Sequence, residues 1–324
     1  MSDIIVEPIE KYGLNAKDRP KQLFSKVGIV GCGTVGQSIA MLISQKELEV
    51  VFIELSEEKI NLAICKIEQE LDNMIDHWGM TPSEKRAIIS RIHGYVGYEH
   101  LKGCDLVIES IRSKTRERRI SCMKEVFKNV AKYVSPECII ATNSTTIVIT
   151  ELSSELEYKS RCVSLHFLTN AAPKAKMIEV VRGLYTSDDV YEKVCQFVRM
   201  LGKEVIPVQE SPGLISVRIF VALVNEACEV LMEGVSSMEY IDQTMKIGLG
   251  MALGPFEQAD KIGLDKVTRW MENLYYEFGD KKYIASPILK KLVRANQLGR
   301  VSGRGFYNYD EEGRKISTNY HNLA

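Results

Sequence analysis

The sequence predicts an α/β protein in which a doubly wound sheet is followed by an all-α C-terminal domain. Two observations carry this prediction. Short apolar strands alternate with helical segments up to residue 209, which is the pattern of helices packed on a largely parallel sheet. After the Ser-Pro-Gly at 211–213 the strand pattern stops. We therefore expect an N-terminal extension over 1–25, a sheet domain over 26–209 and a helical domain over 210–324.

The predicted strands are short runs rich in apolar and β-branched residues, and the helices between them repeat apolar residues at three- and four-residue steps. Strands are expected at 26–30, 50–54, 106–109, 138–142, 163–167, 176–180 and 204–208. Helices are expected from Val35 onward and at 57–78, 114–133 and 188–201.

Two further helical features have distinct signals. Residues 57–91 predict a helical hairpin, whose second helix starts at a capping box of Thr81 and Glu84 with Pro82 at the first helical position. The segment LISVRIFVALVNEACEVLMEG, from Leu214 onward, is apolar on nearly every side. Such a helix is buried all round, either by its own domain or by a second subunit.

The composition excludes several classes of protein. The formal net charge of −1 gives no attraction for nucleic acid or an anionic membrane. No apolar run approaches the roughly 20 residues that span a bilayer, and MSDIIVEPIEKYG has the features of neither a signal nor a transit peptide. The eight cysteines form no Cys-x-x-Cys pair and no zinc-like cluster. We expect a cytoplasmic protein with reduced thiols and no metal site.

A glycine loop follows the first strand and opens the first helix. It runs Gly31-Cys32-Gly33-Thr34-Val35-Gly36, and an acid, Glu54, ends the next strand 18 residues after Gly36. This context is typical of a Rossmann-like dinucleotide site. The three glycines permit a tight turn, a close approach to a pyrophosphate and close packing of helix on strand, while the start of the helix offers free N–H groups to phosphates.

Glu54 distinguishes among dinucleotides. Its carboxylate would accept hydrogen bonds from the adenosine ribose and repel a 2′-phosphate, and no basic residue follows before Lys59. NAD is therefore expected over NADP. FAD is the second candidate, and a glycine turn that binds nothing is the third.

Polar residues occur at the ends of three predicted strands, namely Asn143 to Thr146, His166 and Glu179. Ligands of doubly wound sheets bind beyond the carboxyl ends of the strands. A histidine there could take the proton of a substrate hydroxyl as hydride leaves, with a carboxylate on its second ring nitrogen. A structural histidine and a solvated glutamate are the alternative interpretation.

Several motifs together resemble the short-chain L-3-hydroxyacyl-CoA dehydrogenase family, which includes the 3-hydroxybutyryl-CoA dehydrogenases. The resemblance runs from Lys26 to Tyr309 and rests on VGIVGCGTVGQSIA, DLVIES, IIATNSTTIVITEL, SLHF, KMIEVVRG, LGKEVIPVQESPGLI, GPFEQADKIGLD and GRGFYNY. It implies reversible NAD-linked oxidation of a 3-hydroxyacyl-CoA to the 3-ketoacyl-CoA. It also implies a homodimer formed by the helical domain.

The same resemblance implies roles for individual residues. His166 matches the family's catalytic histidine, Glu179 its partner carboxylate, and Thr145 a hydroxyl residue near the nicotinamide and the substrate. With the glycine loop, it gives the expected cofactor-binding residues: Gly31, Gly33, Thr34, Val35, Gly36, Glu54, Glu109, Arg118, Asn143 and Asn170.

Some positions depart from the family pattern on the cofactor side. The family's glutamate and lysine near the cofactor stand here as Ser113 and Arg118, of which Arg118 keeps the charge. A lysine near the C-terminus is replaced by Val301.

The most serious departure is Val217, which stands where the family has an asparagine bordering the active site. Ser216 lies about 100° round a helix from that position, so it does not simply replace the missing amide. The stretch after His166 is one residue longer than in the family, and we expect Asn170 or Thr169 within it to compensate.

Three functions are therefore open from the sequence. The first is a dehydrogenase of short-chain 3-hydroxyacyl-CoA, and the second is an NAD-dependent dehydrogenase of a 3-hydroxy acid that is not carried on CoA. The third is an NAD-binding protein that has lost turnover. Val217 keeps the third open, whereas the intact set of Thr145, His166 and Glu179 argues against it.

Overall fold

The computed structural model describes residues 23–76, 79–111, 116–168 and 175–318. The strands of the larger sheet in these ranges are β1 Lys26–Val30, β2 Glu49–Ile53, β3 Ile92–Tyr95, β4 Leu106–Glu109, β5 Ile139–Thr142, β6 Cys162–His166, β7 Met177–Arg182 and β8 Glu204–Gln209. Their spatial order is β3-β2-β1-β4-β5-β6-β7-β8. The order moves outward in both directions from β1 and β4, as expected of a doubly wound sheet.

The last two strands reverse direction. β1 to β6 all run parallel to one another, but β7 pairs antiparallel with β6, and β8 pairs parallel with β7. The beginning of β7 therefore lies at the same sheet edge as the carboxyl ends of the first six strands. Glu179, the third residue of β7, is directly opposite His166, the last residue of β6. The prediction that Glu179 ends a strand at 176–180 is wrong, because β7 enters this edge rather than leaving it.

Helices cover both faces of the sheet. They are α1 Thr34–Ser44, α2 Glu57–Asp76, α3 Pro82–Ile89, α4 Arg116–Tyr133, α5 Ile149–Ser153 and α6 Asp188–Met200. Both faces of the sheet are therefore buried. In β2, for example, the successive residues Val51 and Phe52 belong to hydrophobic cores on opposite faces. The predicted capping box of α3 is present, with Thr81 and Glu84 bonded to each other's backbone N–H groups.

Beyond the sheet the chain is mainly helical. The helices are α7 Ser216–Met232, α8 Met238–Gln243, α9 Pro255–Ile262, α10 Leu264–Phe278 and α11 Pro287–Arg294. α7 starts two residues later than the apolar run, because Leu214 has a left-handed φ of 50° that an α-helix does not contain. One face of α7 packs into the core of this region through Val221, Val224 and Cys228.

A small antiparallel hairpin of β9 Tyr307–Tyr309 and β10 Lys315–Thr318 follows the helices. The buried carboxylate of Asp260, in α9, accepts the N–H groups of Phe306 and Tyr307 at 2.9 Å and so fixes the hairpin on the helices. The predicted helical C-terminal region is confirmed, and the hairpin is an addition that the sequence analysis missed, as is β3. Among the helices in the described ranges, none is long and apolar enough to cross a membrane.

Candidate active site

The glycine loop joins β1 to α1 in the way that a bound dinucleotide requires. Gly31 has a φ of 92°, which favours glycine, and a Cβ on Gly36 would lie 2.2 Å from the Gly31 carbonyl oxygen. A Cβ on Gly33 would meet no atom within 4 Å, so this position is open towards a ligand. The first i→i−4 bond runs from the Gln37 N–H to the Gly33 carbonyl, which leaves the amides of the first turn of α1 outside the helical bonding pattern.

Glu54 lies directly against this loop. Its Oε1 accepts the Cys32 N–H at 2.7 Å and its Oε2 accepts the Leu55 N–H at 3.2 Å. Each carboxylate oxygen has a further acceptor position, and the side chain is half-buried rather than enclosed. These residues fit an adenosine ribose at Glu54 and a pyrophosphate at the start of α1.

A buried carboxylate lies at the end of β4. Glu109 accepts the Thr142 hydroxyl at 2.6 Å and the Ile111 N–H at 2.7 Å, and it is 2% exposed. Burial raises the pKa of Glu109, although both hydrogen bonds and the charge of Arg119 oppose the rise. Asn143, the residue after β5, accepts the Phe167 N–H at 2.9 Å and so fixes the chain just beyond His166.

Thr145, His166 and Glu179 form a continuous chain of side-chain hydrogen bonds. The Thr145 hydroxyl lies 3.1 Å from Nε2 of His166, and Nδ1 of His166 lies 2.6 Å from Oε2 of Glu179. All three residues are buried. The ring is therefore held at both nitrogens, and the cross-strand pairing of β6 and β7 explains how two residues 13 positions apart meet.

The start of α7 supplies further donors to Glu179. Oε1 accepts the backbone N–H groups of Ile215 at 3.2 Å and Ser216 at 3.0 Å, and the Ser216 hydroxyl donates to Oε2 at 3.0 Å. Burial alone would raise the pKa of this carboxyl. The hydrogen bonds and charge of His166, together with the donors of Ser216, outweigh burial and lower the pKa of Glu179.

Two cavities meet at His166. The first, which we call the loop crevice, runs from Gly33 past Glu109 and Asn143 to His166 and is closed on the helical side by Arg269 and Trp270. The second, which we call the α1–α2 cleft, has a volume of about 960 Å³ and lies between α1 and α2 on one side and α7 and α9 on the other. His166 and Trp270 line both cavities.

The predicted site residues distribute between these cavities and their surroundings. Gly33, Val35, Glu109, Asn143 and Thr145 line the loop crevice with His166, whereas Thr34 lines the α1–α2 cleft. Arg118 is exposed and does not line the crevice; its neighbour Arg119 does. Asn170, Thr169 and Ser113 lie outside the described residues.

Several residues in the site were missed by the sequence reasoning. Ser216 bonds Glu179, and Lys266, Arg269 and Trp270 reach the loop crevice from α10. The i, i+3, i+4 spacing of these α10 residues places them on one helix face, which was the available signal. Val217 is buried and lines the α1–α2 cleft beside His166.

The doubly wound sheet, the glycine loop and Glu54 define a dinucleotide-binding oxidoreductase of the Rossmann type. Two family models match the chain, namely the 3-hydroxyacyl-CoA dehydrogenase NAD binding domain over residues 26–211 and the C-terminal domain over residues 213–309. The chain belongs to the 3-hydroxyacyl-CoA dehydrogenase family and is an NAD-dependent enzyme. The resemblance seen in the sequence is thereby confirmed.

Individual relatives are similar over most of their length. The 3-hydroxybutyryl-CoA dehydrogenase of Clostridioides difficile is 34% identical to this chain, and the similarity covers 88% of this chain and 100% of that protein. The 3-hydroxybutyryl-CoA dehydrogenase of Bradyrhizobium diazoefficiens is also 34% identical, over 89% of this chain and 96% of that protein. The crystal structure of (S)-3-hydroxybutyryl-CoA dehydrogenase from Ralstonia eutropha is 36% identical with a TM-score of 0.80, covering 89% of this chain and 100% of that one.

Proposed function

We propose that the chain reversibly oxidises a short-chain L-3-hydroxyacyl-CoA, such as 3-hydroxybutyryl-CoA, to the 3-ketoacyl-CoA, with His166 as the acid/base and Glu179 as its partner. One observation carries the proposal. The ring of His166 lies where the loop crevice meets the α1–α2 cleft, and it is bonded on one side to Thr145 and on the other to Glu179. A substrate carbon held there would face both the cofactor and the base.

The hydrogen bonds define which nitrogen carries the proton. Because the carboxylate of Glu179 can only accept, Nδ1 of His166 is the donor and Nε2 holds the lone pair. In the oxidation direction the 3-hydroxyl of the substrate gives its proton to Nε2, and Glu179 stabilises the resulting imidazolium. NAD, held by the glycine loop and Glu54, would supply the acceptor for the hydride that leaves carbon 3 of the substrate. The Thr145 hydroxyl is close enough to Nε2 to bond the substrate oxygen at the same time.

The α1–α2 cleft supports an acyl-CoA as the substrate. The apolar side chains of Val217, Phe220 and Met41 line it, as do the basic side chains of Lys66 and Lys261. An acyl chain suits the apolar part, and the phosphates of CoA suit the lysines. The similarity to three 3-hydroxybutyryl-CoA dehydrogenases supports a short chain.

The test is NADH oxidation measured with acetoacetyl-CoA and, separately, with free acetoacetate. Turnover of acetoacetyl-CoA alone is expected. Turnover of free acetoacetate at a similar kcat/KM would instead favour a dehydrogenase of 3-hydroxy acids without CoA. Tight NADH binding with no turnover of either substrate would favour a protein that has lost its activity.

We also propose that the chain forms a homodimer through its helical region. α7 buries one face in its own core, yet Ile219 on its other side and Ile215, just before the helix, are 66% and 45% exposed. Val235, Ile247 and Leu249, in the same helical region, are 67%, 76% and 69% exposed. A second copy of the chain would remove this apolar surface from water. Sedimentation at micromolar concentration is expected to give a dimer, and a monomer would contradict this proposal.

A further inference from the structure

Within the part of the chain that the structure describes, four donors lie within hydrogen-bond distance of the Glu179 carboxylate. His166 and the Ser216 hydroxyl both donate to Oε2, at 2.6 and 3.0 Å, while the N–H groups of Ile215 and Ser216 donate to Oε1. The side chain of Glu179 is 1% exposed, so water does not compete with these bonds. The orientation of the carboxylate plane is therefore decided by protein groups alone.

Two of the four donors are side chains, the His166 ring of the proposed acid/base pair and the Ser216 hydroxyl. The N–H groups of Ile215 and Ser216 exist for nearly any residue, and their positions follow from the start of α7. The Ser216 hydroxyl exists because residue 216 is a serine. Among the described residues it is also the one donor besides His166 that reaches Oε2, so it determines where that oxygen stands relative to Nδ1.

The hydroxyl does not act as a cap of its own helix. The residue before α7 is Ile215, which has a helical φ of −83° and makes no side-chain capping bond. Serines that cap helices elsewhere in the chain behave differently, since Ser187 accepts the N–H of Val190 at the start of α6. The bond from Ser216 crosses from the helical region to β7, and its acceptor is the group that orients His166.

We infer that Ser216 is a positioning residue of the acid/base site: its hydroxyl holds Oε2 of Glu179 in line with Nδ1 of His166. This inference rests on the proposed function of the pair. It makes the helical region a working part of the proton-transfer site, because the correct placement of Glu179 requires both β7 and the first turn of α7. The Ser216 hydroxyl is thus a polar contact one residue before the apolar Val217. It bonds Glu179 rather than the substrate.

The test compares Ser216→Ala with Ser216→Thr, and uses Ser187→Ala as a matched control. Ser187 is another half-buried serine at a helix start, and it lies away from the site. We expect Ser216→Ala to lower kcat about tenfold, which corresponds to about 1.4 kcal/mol of transition-state stabilisation, with KM for acetoacetyl-CoA within about twofold. Ser216→Thr keeps the hydroxyl and should restore most of the loss. Ser187→Ala should change thermal stability and leave kcat unchanged.

Two readouts separate positioning from a merely structural role. In Ser216→Ala the acid side of the kcat–pH profile for alcohol oxidation should move to lower pH, because a displaced carboxylate stabilises the imidazolium less. The hydrogen-bonded Nδ1 proton resonance of His166, followed by NMR, should move in Ser216→Ala and return in Ser216→Thr. An unchanged resonance, or a profile that moves to higher pH, would overturn the inference.

The same experiments keep this inference distinct from the proposed function. A displaced Nδ1 resonance together with unchanged kcat would mean that Ser216 positions the pair, but that the pair does not carry the reaction. A tenfold loss of kcat with an unchanged resonance would mean that Ser216 supports turnover by some route other than positioning the pair, which contradicts the inference. Equal losses in Ser216→Ala and Ser216→Thr would show that the hydroxyl is not responsible.

Discussion

Glu109 and Glu179 are two buried carboxylates at the same edge of the sheet, 2% and 0% exposed, yet their pKa values move in opposite directions. Glu109 accepts a hydroxyl and one N–H group and lies on the side of the glycine loop. Glu179 accepts two N–H groups, a hydroxyl and the His166 ring. Burial raises the pKa of both carboxyls, but at Glu179 the donors and the charge of His166 outweigh it, whereas at Glu109 they do not.

The contrast between Glu179 and Glu109 matters for catalysis only if His166, the partner of Glu179, is the base. Replacing His166 with Gln should lower kcat by roughly 100- to 10,000-fold, because the base that receives the hydroxyl proton is removed. The affinity for NADH should be nearly unchanged and can be measured by fluorescence titration. His93→Gln, on the exposed side of β3, is the matched control and should be silent. Turnover of His166→Gln within about threefold of the parent would show that Glu179 orients a structural histidine.

Exchanging each carboxylate for an amide should then separate the two sites. Glu179→Gln places a neutral group against His166 and removes stabilisation of the imidazolium, so kcat should fall by about 100-fold. Glu109→Gln should cost less than about tenfold, because the Thr142 hydroxyl can turn to accept from the amide while Ile111 still donates. Similar losses in the two variants would show that both sites require a charged carboxylate.

The glycine-loop side can be tested through cofactor choice. Glu54→Ala should lower the ratio of kcat/KM with NADH to that with NADPH by about tenfold, since the carboxylate both binds the ribose hydroxyls and repels a 2′-phosphate. Glu58→Ala, which changes an exposed carboxylate at the start of α2, should leave the ratio unchanged. A parent enzyme that already prefers NADPH would contradict the role given to Glu54.

The smallest expected effect is on the pH dependence of stability. The pKa of Glu109 in the folded protein lies above its ordinary value of 4.5. Its contribution to the free energy of unfolding is therefore full below pH 4.5 and is lost as the pH rises through the raised pKa. The pKa of Glu179 in the folded protein lies below 4.5. Its contribution to the free energy of unfolding is therefore present above pH 4.5 and is lost as the pH falls through the lowered pKa.

Urea unfolding across this pH range checks both signs. Relative to the parent, Glu109→Gln should gain more stability as pH rises from 4.5 towards neutrality. Glu179→Gln should lose less stability as pH falls below 4.5. Parallel curves for the parent and both variants would mean that neither pKa is shifted by folding.

The two sides of the site also differ in how far the sequence predicts them. The glycine loop and Glu54 come from one strand, its turn and the next strand, so their relation follows from local pattern and the parallel pairing of β1 with β2. His166 and Glu179 were found as polar residues within apolar strands, but the sequence did not indicate that β7 reverses. Without that reversal Glu179 could not be placed opposite His166.

The other features that the sequence did not predict also have physical explanations. The bond from Ser216 to Glu179 depends on the position of the first residue of α7, which the left-handed Leu214 shifts from the apolar pattern. Arg118 and Arg119 differ by one residue, and one residue turns a helix by about 100°, so the charge pattern of α4 could not indicate which of them faces Glu109. β3 is short and carries little alternation, so nothing in the sequence separated it from a turn.

The pairing of β6 with β7 has a consequence for how this family can vary. His166 and Glu179 are held opposite each other by ladder register, and a slip of one residue would turn the whole strand to its other face. The length of the connection between the strands does not enter that constraint. The stretch after His166 can therefore gain or lose residues and change its own chemistry while the proton-transfer pair keeps its geometry. Such a connection is the natural place to graft loops from relatives when a new substrate is sought.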